Sequence, residues 1–422
     1  MKSYKEFKNR RDRLATRIGD SVAIVVNAKE SIRNKDCNYP FRSDSTFHYL
    51  SGFPEPETVV MIFGGKNPKS IIFCQPKDEL KEVWNGFIYG PKQASKEFLF
   101  DEAYPLTEIH KLIPKFLKSK RIFLLPSSKI DNILSPKWFE ENNKLREDLS
   151  EILDGMRVVK NDFEVNLMRK SADIAANAHI QAMKLTRPHK YEYEIEGEIL
   201  NQFFKSGARN PAYSSIVASG VNGCTLHYVE NDSQMKDGDL LLIDAGCEVG
   251  NYASDITRTF PVNGKFSSAQ KAVYQLVLCA QKAAIEKVKA GNFFDDPHKR
   301  ALKIIINGLI DLGILIGSSD EVYEKELYKK FFMHRTSHWL GLDVHDVGKY
   351  VSKNNPSVAV KFTEGNVLTI EPGCYIRPSD NVPKEFWGIG VRIEDDVLVT
   401  TDGHDVLSKN APKEIHELEA II

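Results

Sequence analysis

A run of four apolar residues, Leu240-Leu241-Leu242-Ile243, ends in Asp244, and eleven positions later Asp255 opens the strand-like stretch DITRTFPV. No other feature restricts the possible folds of this chain as tightly. The apolar run reads as a buried strand, and a carboxylate at its end is costly to bury unless a cation neutralises it. Two such carboxylates on neighbouring strands repel each other, so a bound metal ion is the simplest reconciliation. A hairpin over 239–261 with Val249-Gly250 as its two-residue turn sets Asp244 directly opposite Asp255. Both side chains then share a face, with Cβ atoms about 4.5–5.5 Å apart.

Three further residues have the same peculiarity. His338 lies in HRTSHWLGLDVHD, Glu371 follows Val367-Leu368-Thr369-Ile370, and Glu394 follows Val391 and Ile393 in alternation. Each is polar where a strand reads as buried. One alone is commonly a paired core residue; five together form a ligand set. Four carboxylates and one neutral imidazole carry a charge near minus four, which two divalent cations neutralise. Oxygen-rich ligation with a single nitrogen suits Mn²⁺, Co²⁺, Fe²⁺ or Mg²⁺ better than a thiolate site. Two such ions about 3.5–4 Å apart activate a shared water as a nucleophile, which is equipment for hydrolysing an amide.

Other polar residues accompany these segments. His227 sits in CTLHY, and His334 and His345 flank His338; near a metal nucleophile, imidazoles serve as donors to an oxyanion or as acids for a leaving nitrogen. Arg392, two residues before Glu394, is expected on the same side of its strand, either orienting that carboxylate, binding a substrate carbonyl or forming a supporting salt bridge.

A chain of 422 residues exceeds the usual size of one core, so two domains are expected, 1–155 and 156–422. The first alternates elements as an α/β unit: a helix from Tyr4, a strand at 21–26, a hairpin of 58–63 with 70–74 across GGKNP, a helix at 109–117, a strand at 121–125, and a helix beginning at Ser135-Pro136. The second opens with a capping box at Asn161 and Glu164. Helices are expected to about Met183 and over 193–205, then strands near 215–219 and 225–228, then the hairpin. The order repeats with helices from Ser267 to about Val288 and from His298 to Leu312, followed by strands near 338–344, 367–376 and 390–400. This is an α+β chain whose second domain repeats an architecture, two helix pairs backing a curved sheet with polar strand residues in its concavity.

Lys+Arg 57 against Asp+Glu 58 leaves a net charge of -1, which predicts no bulk attraction to nucleic acid or to an acidic membrane. The six cysteines include no C-x-x-C pair, and no apolar run is long enough to span a bilayer, so a cytoplasmic protein is expected. G-x-S-x-G, H-E-x-x-H and G-x-x-x-x-G-K-[ST] are all absent, against a serine hydrolase, a zincin and a P-loop enzyme.

The segments NGCTLHY, LIDAGCEVGNYASDITRTFPVNGKFS, FFMHRTSHWLGLDVHDVG, LTIEPGCYI and GIGVRIEDD, with FRSDSTFHYLSGFPEPE in the first domain, resemble those of the aminopeptidase P (Xaa-Pro aminopeptidase) branch of the pita-bread metallopeptidases. The resemblance covers nearly the whole chain. It implies removal of the first residue from peptides with proline second. It also implies an N-terminal domain serving oligomerisation and substrate access, and a pita-bread catalytic domain. By the same resemblance Asp244 and Asp255 hold one metal, and Asp255, His338, Glu371 and Glu394 hold the other. Asp255 and Glu394 are shared, and Glu371 handles the proton of the bridging hydroxide. Mn²⁺ is the implied metal, with Co²⁺, Fe²⁺ or Zn²⁺ as alternatives. His227, His334 and His345 match active-site histidines, Tyr375 falls among the substrate-binding positions, and Trp84 matches a tryptophan that reaches an active site across a subunit boundary. A homo-oligomer, tetramer or dimer, is implied. Departures are Arg335-Thr336, where a Gly-plus-apolar pair is usual, and Gly250-Asn251 before the tyrosine. The competing readings are a dipeptide-restricted prolidase and a non-catalytic relative of the fold, the latter disfavoured by an intact ligand set.

Overall fold

Phe7, Leu14 and Ile18 recur at helical spacing; Phe7 and Leu14 are buried along the first helix, Tyr4–Arg17, and Ile18 is buried just past its end. The computed structural model describes residues 4–117, 120–126 and 146–422; the helix expected from Ser135-Pro136 lies outside them. The chain divides into two compact units, Met1–Met156 and Arg157–Ile422.

In the first unit a six-stranded sheet runs in the order Glu102–Pro105, Lys69–Cys74, Val59–Phe63, Ser21–Val26, Arg121–Leu124, Arg146–Asp148. Its inner strands SVAIVV and VVMIF are almost wholly buried, which explains their unbroken apolar sequence. GGKNP closes an antiparallel pair in which Val59 faces Phe73. The basic start of the chain is structural in part. Arg11 is buried and donates to the carbonyls of Leu50, Phe98 and Leu99 at 2.7–2.9 Å.

The second unit has the repeated plan. Helices Asp162–Leu185 and Glu192–Lys205 pack together, as do Ser268–Ile285 and Asp296–Asp311. The capping boxes at Asn161/Glu164 and Ser267/Gln270 are both formed. Each half supplies three antiparallel strands and a two-stranded ribbon. In the first half the strands are Ile216–Ser219, Leu240–Asp244 and Thr257–Pro261, with the ribbon Glu248–Val249/Tyr252–Ala253. In the second they are Val367–Ile370, Asp395–Val399 and His404–Val406, with the ribbon Gly373–Ile376/Ile389–Arg392. The Glu394 N–H donates to the Thr257 carbonyl at 3.1 Å, joining the halves. The helices bury Met183, Ile199, Val277 and Leu302 against Val217, Ile243, Leu368 and Val397 in one core. This is the pita-bread architecture.

Four expectations need correction. The turn is Gly250-Asn251, not Val249-Gly250. Both central residues have positive φ, 58° and 67°, as a type I′ turn demands, and β-branched Val249 is a poor occupant of that region. The register therefore moves by two, and Asp244 faces Thr257 instead of Asp255. Second, the stretches expected at 367–376 and 390–400 are each broken in two, at Glu371-Pro372 and at Ile393-Glu394. Proline has no N–H for the ladder, and opposite it the Glu394 N–H turns to the other half. Third, residues 338–344 make one isolated bridge, Trp339 to Leu368, before the chain turns at Gly341. Fourth, residues 225–228 form no strand; the loop leaves a short helical turn, Gly220–Cys224, without a ladder partner.

Candidate metal centre and active site

The strand breaks are where the site lies. Asp244 ends one strand, Asp255 precedes another, and Glu371 and Glu394 stand at the two interruptions. Regular pairing stops there, which frees the side chains to converge. His338 is held beside them because its N–H donates to Thr369 Oγ1 at 3.2 Å and its carbonyl accepts from the Thr369 N–H at 3.0 Å.

Although no longer directly opposite, Asp244 and Asp255 meet at the Tyr213 hydroxyl, which lies 2.6 Å from one carboxylate and 2.5 Å from the other. Thr257, the true register partner of Asp244, donates from Oγ1 to Glu394 at 2.6 Å. Thr369 mirrors it across the site, with Oγ1 3.3 Å from Glu371. His338 Nε2 is 3.4 Å from Asp255 and 3.6 Å from Glu371. Its Nδ1 lies 3.0 Å from the Trp339 carbonyl, so Nδ1–H donates there and Nε2 is turned to the carboxylates. Ligand atoms of Asp255, His338 and Glu394 all lie within 4.8 Å of one another.

The electrostatics report a shortage of positive charge. Burial, then the charges of Asp255, Glu371 and Asp244, hold the Glu394 carboxyl far above the usual carboxylate range. Burial raises Glu371 to about 7, with Asp255 and Asp244 adding to the effect against the pull of His338 and Arg392. Asp244 is raised by burial despite the Arg392 guanidinium. Burial also opposes ionisation of Asp255, but the hydrogen bond and charge of His338 overcome it and hold Asp255 low. His338 rises to about 9 in return, against its own desolvation. One imidazolium is thus the counter-ion of the densest carboxylates.

Arg392 is buried and does not orient Glu394 directly. It donates to Asp244 at 2.7 Å, to the Tyr375 hydroxyl at 3.0 Å and to Thr257 Oγ1 at 3.1 Å. These contacts are those of the supporting salt-bridge alternative. Tyr375 continues the chain, since its hydroxyl lies 2.8 Å from His334 Nε2 while His334 Nδ1 lies 2.7 Å from the Arg335 carbonyl. Both His334 nitrogens are thus engaged, and burial lowers its pKa to about 4. His345 is exposed and its ring stands edge-on to His338, 4.4 Å between centroids. His227 is exposed in its loop, and its charge acts on both His334 and His345. Trp84 lies in the other unit, 86% exposed on the short helix Glu79–Asn85. Thr336, one of the two unusual residues, is buried against His298 at 2.8 Å, while Arg335 stays exposed.

Several contributors escape a reading of the chain alone. Tyr213 has no local signature in PAYSS. Asp396, whose carboxylate accepts the Asp255 N–H at 3.2 Å, was at least visible in the acidic run IEDD. Arg258 lies beneath the ligands with all its donors used, on the carbonyls of Thr257, Glu394, Ala411 and Pro412 and on the Asp395 carboxylate.

Two helix-backed half-sheets closing on a buried carboxylate–imidazole cluster define a metal-dependent hydrolase of the pita-bread class. Residues 166–401 match the profile of metallopeptidase family M24, and residues 7–123 match the N-terminal domain of aminopeptidase P. The Xaa-Pro aminopeptidase of Haemophilus influenzae is 44% identical over 99% of this chain and 97% of its own length. The structure of Pseudomonas aeruginosa aminopeptidase PepP superimposes with a TM-score of 0.94 at 40% identity, covering 99% of this chain and 97% of that one. Zinc-substituted Escherichia coli aminopeptidase P in complex with product gives 0.94 at 37% identity, covering 99% and 98%. The chain belongs to metallopeptidase family M24, in its aminopeptidase P branch.

Proposed function

We propose that the protein is an Xaa-Pro aminopeptidase, a dinuclear metallohydrolase that removes the N-terminal residue from peptides with proline in the second position. The observation that carries this is the cluster of Asp244, Asp255, His338, Glu371 and Glu394, four carboxylates facing one guanidinium, Arg392, among the described residues. The donor set fits two divalent cations. Ionising every carboxylate beside Arg392 leaves a net charge near minus three, and the raised Glu394 and Glu371 are what such a site shows when protons replace metal. Asp244 and Asp255 would hold one ion, and Asp255, His338, Glu371 and Glu394 the other, with Mn²⁺ the best match to oxygen-rich ligation. When bound, the ions supply Lewis acidity and a water acidified toward neutrality.

The chain's own residues supply the rest. Glu371, whose carboxylate borders both the ligand cluster and His338, is the group placed to take a proton from the attacking water and return it to the departing proline nitrogen. His227 and His345, both exposed, are free to donate to the scissile carbonyl. His334, through Tyr375 and Arg392, keeps Asp244 in place and walls the site. The X–Pro bond has no N–H and a fixed φ, so a peptidase relying on that donor cannot hold it, which explains a dedicated enzyme.

Metal-stripped protein incubated with Arg-Pro-Pro and with Gly-Pro, with and without Mn²⁺, tests the reading. Metal-dependent release of arginine is expected, and no cleavage under any divalent ion sinks it. Cutting of Gly-Pro alone moves the assignment to a dipeptidase. A homo-oligomer in the cytoplasm is part of the proposal. Leu80, Val83, Trp84 and Phe87 form an exposed apolar group that a second subunit would cover, and all six cysteines are free. Sedimentation of the protein and of Trp84→Ala tests the assembly. No described helix is long and apolar enough to cross a membrane.

A further inference from the structure

Glu192 is the first residue of the helix Glu192–Lys205, wholly buried, and its carboxylate has neutral donors for partners. Oε1 accepts from the Ser219 N–H at 2.6 Å, Ser219 Oγ at 2.7 Å and Asn222 Nδ2 at 3.1 Å. Oε2 accepts from the Tyr228 hydroxyl at 2.8 Å and the Ser233 N–H at 3.0 Å. Ser219 and Asn222 stand at the start of the loop that carries His227, while Tyr228 and Ser233 lie beyond it. One carboxylate therefore draws the two limbs of a long, ladderless loop together. The Glu192 N–H adds to this by donating to the Ser233 carbonyl at 3.0 Å.

The rest of the loop is seated on strands. Buried Asn231, with φ of 50°, uses its amide as a strand would, accepting from the Val217 N–H and donating to the Ser215 carbonyl, both at 2.9 Å. On the other side Arg377 holds the Cys224 carbonyl at 2.9 Å, and Gly390 lets the opposite half approach so closely that an added Cβ would overlap the Gly223 carbonyl. Between these anchors the imidazole of His227 is exposed. Exposure makes it available and would also leave it free to wander, so its aim depends on the loop beneath it.

We propose that Glu192 is the positioning residue for His227, a buried clamp that closes the loop 219–233 and presents the imidazole to substrate. This rests on the reading of His227 as a substrate-contacting histidine. Glu192 touches none of the five metal-ligating residues, so its role is separable from metal binding. Glu192→Gln preserves the shape but turns an amide N–H₂ toward donors, leaving one limb of the loop unpaired.

The test is a double-mutant cycle on the Mn²⁺-loaded enzyme with an Xaa-Pro tripeptide, using Glu192→Gln, His227→Ala and the pair. Metal content and amide exchange over 219–233 are measured alongside. Each single variant should lose roughly tenfold or more in kcat/KM, and the pair no more than His227→Ala alone. Bound metal should be unchanged, and exchange in the loop faster in Glu192→Gln. Wild-type kcat/KM in Glu192→Gln, or a pair that loses the product of the two factors, overturns the proposal. Wild-type activity in His227→Ala removes the role of the histidine and the proposal with it. The exchange data then show separately whether the clamp itself exists. If Glu192→Gln does not fold, Tyr228→Phe, which deletes one donor, replaces it in the same cycle under the same criteria.

Discussion

Replacing Arg392 by methionine should destabilise the metal-free enzyme more than the metal-loaded one. The side chain is buried, and the change removes the 2.7 Å pair with Asp244 along with the hydrogen bonds to Tyr375 and Thr257. Breaking a buried pair by deleting one partner typically costs about 3–5 kcal/mol. Asp244 is already pushed upward by burial and can relieve part of that by taking a proton, so a loss near the lower end, about 3 kcal/mol, is expected at neutral pH. At about 2–4 °C per kcal/mol for a unit of this size, the unfolding temperature falls by roughly 6–12 °C. With Mn²⁺ bound the cation takes over neutralisation of Asp244, and the difference should shrink to about 2 kcal/mol, about 1 kcal/mol for each of the two lost hydrogen bonds. By linkage the variant then gains more stability from metal than the wild type does. Thermal unfolding of both proteins, with chelator and with excess Mn²⁺, measures this directly. Equal destabilisation in the two conditions, or none without metal, would refute the account of Arg392 as the fixed counter-charge.

Asp255→Asn should abolish peptide cleavage and lower metal content with the fold intact by circular dichroism, a loss well beyond the roughly 10–100-fold typical of changes outside the ligand set; near-normal turnover would end its shared role. Metal uptake at pH 7 should release protons, because His338 at about 9, Glu371 at about 7 and the raised Glu394 must give them up to become ligands. Apparent affinity for Mn²⁺ therefore rises with pH from about 7 to 9, which calorimetry in buffers of different ionisation enthalpy can count. Arg258→Met strands Asp395, which Arg258 and Lys413 together hold far below the usual carboxylate range despite its burial. Since Asp395 is depressed on folding, its stabilisation is present above the unfolded pKa of about 3.9 and is lost as pH falls toward its folded value. The variant should lose about 3–5 kcal/mol at pH 7, with the gap to wild type narrowing in acid.

How much of this is legible in the sequence depends on range. Helices read from period and caps appear where expected, since a capping box is decided within four residues, as at Asn161 and Ser267. The anomaly of the five candidates is legible too, because a polar residue ending or interrupting an apolar strand stands out locally, and Asp255, His338 and Glu394 do converge. What resisted reading was where each strand stops. Glu371 and Glu394 fall at breaks, and a run of β-formers does not announce which of its N–H groups will turn to the other half of the molecule.

The sequence by itself determined most of the elements, the two-part division and the polar residues of the buried carboxylate–imidazole cluster, since periodicity, caps and the cost of buried charge act on neighbours. Only the tertiary structure decided the pairings. The hairpin register hung on whether Val249 or Asn251 joined Gly250 in the left-handed region, and moving the turn by one residue moved the register by two and put Thr257 opposite Asp244. Arg392 reached Asp244 across 148 positions instead of the carboxylate two residues away. Tyr213 and Glu192 became organising groups through contacts 27 to 42 positions distant. Hydrogen bonds of that separation depend on how two half-sheets pack, and the packing energy that selects them is spread over the whole core and encoded at no single position.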